Sequence, residues 1–588
     1  MKAKKKEERS PGRWPYWVAA AAAVLAAFFA YAPALHGGFL FDDAALPFAL
    51  PEFHAPLIGW IRGVRPLLFF TYWLNAQLSG DNPYSYHVVN VLFHCVASGF
   101  VFAIVRRLAQ WARAAGAAGP APGSAAGLAA GDSLLAGFAA FLFLLHPVQA
   151  EAVAYLAGRS ECLSTMFALA AFTVFLYRRR RQASWGTSAG VLLLSVAAIL
   201  SKEQTAALPA LFLLTDFWWN PGFSLAGIRG NWRLYLPLAL GWSAVMFYFR
   251  DLILHANTAG FGMRDFTWYQ YFFTQCRALW IYLREFLLPV GLRADWDFPI
   301  SKTLLDHGAV FGLAALLALA AAAWRWRRSF PLASYGFFAW LVLMAPTSSF
   351  LPIQDPVAER RLYFGMLGLL LVVVDLLGRV KVRNLRAVVA CLCAVLLAEA
   401  AATCGRAAVW ADDLALWKDT VEKSPDKARD RFHLAFAYYA AGRNEAAIAE
   451  FQRATQLGTG YVKADMLLDW GLAYANLHQT AQAIAKLREA AALLPTAHVY
   501  SQIGMVYGQA GDWEPALDAL DQAERLDPSW KFTYFYRGLV YYKTGQFDAA
   551  VHEYHRALSI DPTFQMAFDG LREAQAALRA IPPPRPQP

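Results

Sequence analysis

The chain has 588 residues, 58% of them hydrophobic and only 16% charged. A soluble globular protein carries about 25% charged residues, so the composition excludes a fold that is water-soluble throughout. The formal net charge of +10 lies in short clusters between apolar runs, which argues against a nucleic-acid-binding face, since that would need the charge gathered on one surface.

Residues 1–16 are a basic start with Lys2, Lys4, Lys5 and Lys6. The apolar run from Trp17 to about Leu35 follows. A cleaved signal peptide competes here, because Ala32-Pro33-Ala34 is loosely compatible with one; an uncleaved first helix is preferred because the motifs described below begin immediately after it. Further apolar runs near the roughly 20 residues that cross a bilayer fall at 86–105, 133–147, 160–177, 187–201, 203–219, 233–250, 308–323, 331–346, 362–378 and 387–404. With the first run they predict eleven crossings. Basic clusters at Arg106–Arg107, Arg178–Arg181, Arg325–Arg328 and Arg379–Arg386 then all face the cytoplasm, as the positive-inside rule requires. With the N-terminus in the cytoplasm, an odd count places the C-terminal half outside, in a bacterial periplasm or an organelle lumen. The stretch Trp268–Pro289 is left out of the count. It carries Arg277, Arg284 and Glu285, each costing about 2.5–3.5 kcal/mol at mid-bilayer, and reads as an interfacial or re-entrant helix.

The six cysteines lie in or beside apolar segments, with no zinc or disulfide spacing. Beyond residue 405 charged residues return every few positions. A helix is expected to link 406–429, and from 430 the sequence repeats itself. Ala435, Gly471, Gly504 and Gly538 recur at steps of 36, 33 and 34. A tyrosine stands three residues after each (Tyr438, Tyr474, Tyr507, Tyr541), and alanines stand twelve and nineteen after each. This is the tetratricopeptide (TPR) pattern, with four clear repeats across 430–580. Such repeats stack into a solenoid whose concave face commonly holds a peptide or partner protein. Residues 581–588 form a Pro-rich tail expected to be disordered.

In this topology ionisable residues gather on the outer side, where charge at membrane level marks a functional site. Asp42-Asp43 follows the first crossing, and Arg65 lies in the same loop. His87, Asn90 and His94 share one face of the second helix. His146, Glu151, Arg159 and Glu161 occupy the next outer loop, Lys202-Glu203-Gln204 interrupts two apolar runs, and Asp355, Glu359, Arg360, Arg361 and Tyr363 precede the tenth crossing. Singly each has a bland reading: an Asp pair caps a turn, His94 is a satisfied hydrogen bonder, and Lys202-Glu203 is a structural ion pair. Their convergence is what argues for chemistry.

Read in order, Phe41-Asp42-Asp43, Arg65-Pro66-Leu67, Asn82-Pro83 leading to the run Tyr86 to His94, His146-Pro147-Val148 with Glu151-Ala152-Val153, Gly158-Arg159, Ser201-Lys202-Glu203-Gln204, and Ala358-Glu359-Arg360 with Leu362-Tyr363 closely resemble the transmembrane-and-TPR protein O-mannosyltransferases of the GT-C superfamily. The resemblance implies an all-α fold: a GT-C-type transmembrane domain over 17–405 followed by the TPR solenoid. It also implies transfer of mannose, or a similar sugar, from a polyprenyl-phosphate carrier to Ser or Thr hydroxyls of exported proteins, with inversion at the anomeric carbon. Asp42 or Asp43 is then the base, and Arg159, Lys202, Arg360 and Arg361 hold the donor phosphate. Arg65, His87, Asn90, His94, His146, Glu151, Glu203, Gln204, Glu359 and Tyr363 orient these groups or bind sugar and acceptor. No metal is assigned. The implied partners are the lipid-linked donor, membrane lipids and an acceptor protein held by the TPR array. Two departures stand out: Gln149 occupies a position where a second His is common, which weakens a His-pair metal site, and four repeats leave acceptor choice open. Rival readings are a transferase acting on a lipid or glycan hydroxyl, a non-catalytic scaffold presenting TPRs, and a secondary transporter; mid-bilayer charges, which a transporter would need, are not the pattern here.

Overall fold

Long runs of Ala, Leu, Val and Phe without interior charge leave the backbone one way to satisfy its polar groups away from water, which is to form helices. The computed structural model describes residues 14–47, 56–116, 125–256, 258–380, 383–458, 460 and 462–580, and they are helical almost throughout, with one isolated antiparallel bridge between Ala259 and Ile353. The basic start up to residue 13 and the Pro-rich tail lie outside the described residues. The chain divides into two compact units, Met1–Asp419 and Thr420–Pro588.

In the first unit the principal helices are α1 (Trp14–Leu35), α2 (Pro66–Ser79), α3 (Pro83–Gly116), α4 (Ala125–Leu145), α5 (Arg159–Leu176), α6 (Trp185–Ile199) and α7 (Leu208–Trp219). They are followed by α8 (Trp232–Tyr248), α9 (Trp268–Leu287), α10 (Ala309–Arg325), α11 (Pro331–Met344), α12 (Leu362–Leu377) and α13 (Leu385–Val409). Every one of the eleven expected crossings coincides with one of these helices. Five of them, α1, α3, α5, α10 and α13, are long and apolar enough to cross a bilayer alone; a sixth arises if α4 and the bent segment after it count as one span. The remaining crossings fall on shorter helices of 12 to 17 residues. Large apolar side chains such as Phe311 and Leu397, 77% and 72% exposed, form the kind of outer surface that lipid would cover.

Local sequence sets the helix ends. Pro66 and Pro331 open α2 and α11, where a missing N–H costs nothing. Ser184 and Asn384 cap α6 and α13 through their side-chain oxygens. Helices α11 and α12 touch through glycine: a Cβ on Gly336 would lie 2.5 Å from the Gly368 carbonyl oxygen, and one on Gly368 2.5 Å from the Gly336 carbonyl oxygen. The amphipathic α9 packs its polar face inward. Arg277 donates to the Pro299 carbonyl and the Ser301 hydroxyl at 2.9 and 3.0 Å, and Gln275 to the Pro356 carbonyl at 2.9 Å.

The second unit contains four antiparallel helix pairs, Ala428–Ala440 with Asn444–Leu457, Ala464–Asn476 with Thr480–Leu493, Ala497–Ala510 with Trp513–Leu526, and Lys531–Lys543 with Phe547–Ile560, closed by Gln565–Ala580. The periodic alanines Ala447, Ala483, Ala516 and Ala550 are wholly buried. Gly471, Gly504 and Gly538 press against Leu487, Leu520 and Tyr554, which explains why the motif demands a small residue there.

Candidate active site

Phe41 leads into the site with φ of 50°, a region that costs a bulky residue about 1–3 kcal/mol. Packing holds it there, with its ring 5.2 Å from that of Trp417 and 6.2 Å from that of Tyr155. The 3₁₀ turn that follows sends its two acids in different directions. Asp43 is buried: one carboxylate oxygen accepts from the Ala157 N–H at 2.7 Å and the other from the Leu40 N–H at 3.2 Å. Burial pushes its carboxyl up to about 7, against the pull of those N–H donors. Asp42 is exposed and lines a cavity of about 580 Å³.

Three ion pairs stand around that cavity, each joining segments far apart in sequence. Arg65 grips Glu203 through two N–H groups, at 2.9 and 2.5 Å. Lys202 donates to Glu161 and, at 3.2 Å, to the Ser160 hydroxyl, while Gln204 donates to the other Glu161 oxygen. Arg360 donates to Glu151 through its side chain, and through its backbone N–H at 2.8 Å. Burial lowers Lys202, with Glu161 opposing; burial would also lower Arg360, but Glu151 outweighs it and the group is raised. The carboxylates, Glu161 and Glu151 buried and Glu203 partly exposed, thus fix cations whose remaining N–H groups can face a ligand.

Arg361 also borders the cavity, but its guanidinium is spent on the carbonyls of Asp355 and Pro356 and on the Tyr271 hydroxyl. It ties the loop between α11 and α12 to α9. An apolar wall completes the lining: Val245, Phe249, Ile253, Leu351 and Ile353, drawn from the end of α8, the segment after it and the loop after α11. That wall carries no motif, and sequence reading did not place it at the site.

The other expected residues sit behind the cavity. Arg159 is wholly buried and donates to the side chains of Asn90 and Asn75 at 2.8 and 2.9 Å and to the Tyr86 carbonyl at 3.0 Å. Its guanidinium lies 4.5 Å from the Tyr72 ring centre. The expected phosphate contact is therefore corrected: enclosed in this way, Arg159 holds α2, α3 and α5 together. His94 is satisfied by the Tyr363 hydroxyl at 2.7 Å and the Leu144 carbonyl at 3.0 Å, and His146 by the Phe286 carbonyl and Val148 N–H. His87 is buried, and Glu359 accepts from the Arg293 N–H and, at 3.4 Å, from Arg406. Among the described residues no three His, Cys, Asp or Glu gather as a metal site.

Comparison with known proteins finds sequences that share one printed name. Protein O-mannosyl-transferase F38B6.6 of Caenorhabditis elegans is 24% identical over 461 residues, covering 73% of this chain and 61% of the relative. The human protein O-mannosyl-transferase TMTC3 is 25% identical over 475 residues, covering 74% of this chain and 48% of its own length. The chain is similar to proteins named protein O-mannosyl-transferases. It spans at most about three fifths of the length of these relatives. Drosophila Tmtc1, 32% identical over 205 residues, covers 32% of the chain and 21% of its own length. The tetratricopeptide repeat family matches residues 532–564, the fourth helix pair and the turn after it. Among solved structures, the TPR protein YrrB is 20% identical with a TM-score of 0.24, covering 27% of this chain and 81% of YrrB.

Proposed function

We propose that the first unit is a membrane glycosyltransferase that moves mannose, or a similar sugar, from a polyprenyl-phosphate carrier to Ser or Thr hydroxyls of exported proteins. One observation carries this reading: an exposed carboxylate, Asp42, shares a cavity with three cations that carboxylates hold in place. The relatives' names supply the sugar and the protein acceptor.

The chemistry follows from the sides of the cavity. The acceptor hydroxyl attacks the anomeric carbon and passes its proton to Asp42. The bond from that carbon to the phosphate oxygen breaks, and its electron pair leaves with the lipid phosphate. That oxygen needs fixed positive charge more than a proton, and Arg65, Lys202 and Arg360 provide it. Asp43 is a positioning residue that sets the Asp42 turn against Ala157. The apolar wall gives the first prenyl units a dry surface to lie on. The cavity faces the non-cytoplasmic side, and so does the TPR unit, whose solenoid holds the acceptor segment.

Intact-mass spectrometry of exported proteins, from cells making the full chain or its Asp42→Asn variant, tests the proposal. The hexose increment should disappear with the variant, reflecting a rate loss of about 10²–10⁴-fold for removal of a general base. Wild-type glycosylation by a stably folded Asp42→Asn protein would sink the assignment.

A further inference from the structure

A second cavity, of about 640 Å³, lies at the other end of the same helices. Helix α5 starts at Arg159, with Glu161 lining the first cavity, and ends at Leu176, just before Arg178–Arg181 at the second. Helix α11 runs the reverse way, from Pro331 at the second cavity to the Ala345–Thr347 turn at the first. The 18 residues of α5 separate the two by roughly 27 Å at 1.5 Å per residue, close to the thickness of a hydrocarbon core.

Seven arginines from three separate elements line this cavity: Arg107 on α3, Arg178–Arg181 after α5, and Arg327 and Arg328 before α11. Among the described residues no carboxylate lines it. Arg178 is paired with the buried Asp216 at 2.6 Å, and Arg327 lies 4.3 Å from the ring centre of Trp324. Among the described residues no carboxylate pairs with Arg179, Arg180, Arg181 or Arg328. This is the reverse of the first site, where every principal cation holds an acid. Orientation by positive loops explains why arginines sit between the helices. It does not explain why three elements converge on one concavity walled by Trp111, Trp218 and Trp219. Converging guanidiniums repel one another until an anion joins them, and their forks match phosphate bidentately. The space is equivalent to about twenty water molecules, enough for a head group with its own hydration.

We infer that this cavity binds the head group of an anionic phospholipid, with its phosphate on Arg179, Arg180 and Arg328 and its glycerol end against the tryptophans. Indole rings at the ends of apolar helices mark head-group depth, and basic pockets between transmembrane helices take multiply charged lipid heads. That depth selects a lipid over a phosphate from solution. The inference goes beyond the transferase reading and does not depend on it, because the readout is retained lipid and involves no sugar transfer.

The test uses the full chain in nanodiscs of phosphatidylcholine doped with phosphatidylglycerol or with a two-phosphate phospholipid, and native mass spectrometry of the lipid that stays bound. The wild type should retain the anionic lipids over phosphatidylcholine. The triple variant Arg179→Gln, Arg180→Gln, Arg328→Gln should lose about a hundredfold of that preference, and the matching lysine triple should keep most of it. All three positions are exposed, and a melting curve checks that the variant is folded. Equal retention of zwitterionic and anionic lipid by the wild type, or an undiminished preference in the glutamine variant, overturns the inference. So does full displacement by millimolar inorganic phosphate, which would make the site one for a soluble anion.

Discussion

Asp42 and Asp43 are indistinguishable in sequence, yet they end in opposite environments. Residue type and order were enough to bring the loop after α1 to the candidate site. Which acid points where depends on a turn whose geometry no motif encodes, since the acceptor contacts of Asp43 come from Leu40 beside it and from Ala157, 114 residues away. The same limit applies to Arg159. Its type predicts a phosphate ligand, and only the packing of Asn75, Tyr72 and Tyr86 around it shows that it is enclosed. Asp43 gives a pH signature. Its folded value of about 7 lies above the unfolded value of about 3.9. Below pH 4 both states hold the proton and no stability is lost; between about 4 and 7 the unfolded chain ionises first, so stability falls as pH rises. In Asp43→Asn this slope is absent. Melting temperatures of wild type and variant should therefore differ most near pH 4 in favour of the wild type and converge toward pH 8. A gap that stays constant across that range would show that Asp43 does not titrate in the fold.

At the scale of elements, all eleven apolar runs reappear as helices because a run without interior charge has no other way to satisfy its backbone. The connections between them were less legible. The loop from Ala345 to Arg361 supplies Leu351 and Ile353 of the apolar wall as well as Arg360, and its path is set by helices α11 and α12 at its two ends. Those helices approach through Gly336 and Gly368, so close that either Cβ would meet backbone atoms at 2.5 Å. Backbone cannot swing aside as a side chain can, so Gly368→Val must push the helices apart. The expected cost is about 1–3 kcal/mol, read as a lower melting temperature, together with reduced transfer as Arg360 shifts relative to Asp42. Gly405→Ala on α13 is the control: nothing lies within 4 Å of its added Cβ, and replacing a helical glycine by alanine favours the helix by about 0.5–1 kcal/mol. If both substitutions leave stability and activity alike, the glycine contact does not position the loop.

For the whole molecule, the decisive question is which faces share a compartment. Hydropathy windows treat each apolar run as a crossing. Helix α7, with only 12 residues, reaches that length only with the 3₁₀ turn Glu203–Ala207 added before it, and five helices alone satisfy both length and apolarity. The count of eleven therefore rests on short helices, whereas the opposition of the two cavities rests on helix direction and is independent of the count. Single-cysteine labelling separates these points. The six native cysteines are unpaired and can be replaced. Gly38→Cys lies in open space beside the Asp42 turn, Arg180→Cys lies at the basic cavity, and Arg572→Cys replaces a side chain 74% exposed in the closing helix of the solenoid. A membrane-impermeant maleimide applied to sealed, right-side-out vesicles should label Gly38→Cys and Arg572→Cys, and should reach Arg180→Cys only after permeabilisation. Gly38→Cys and Arg180→Cys labelled from one side would remove the barrier between the cavities and overturn the membrane placement. Arg572→Cys protected alone would leave the two-cavity arrangement intact and change the parity of the crossings after Arg180, moving the solenoid away from the acceptor proteins it is proposed to hold.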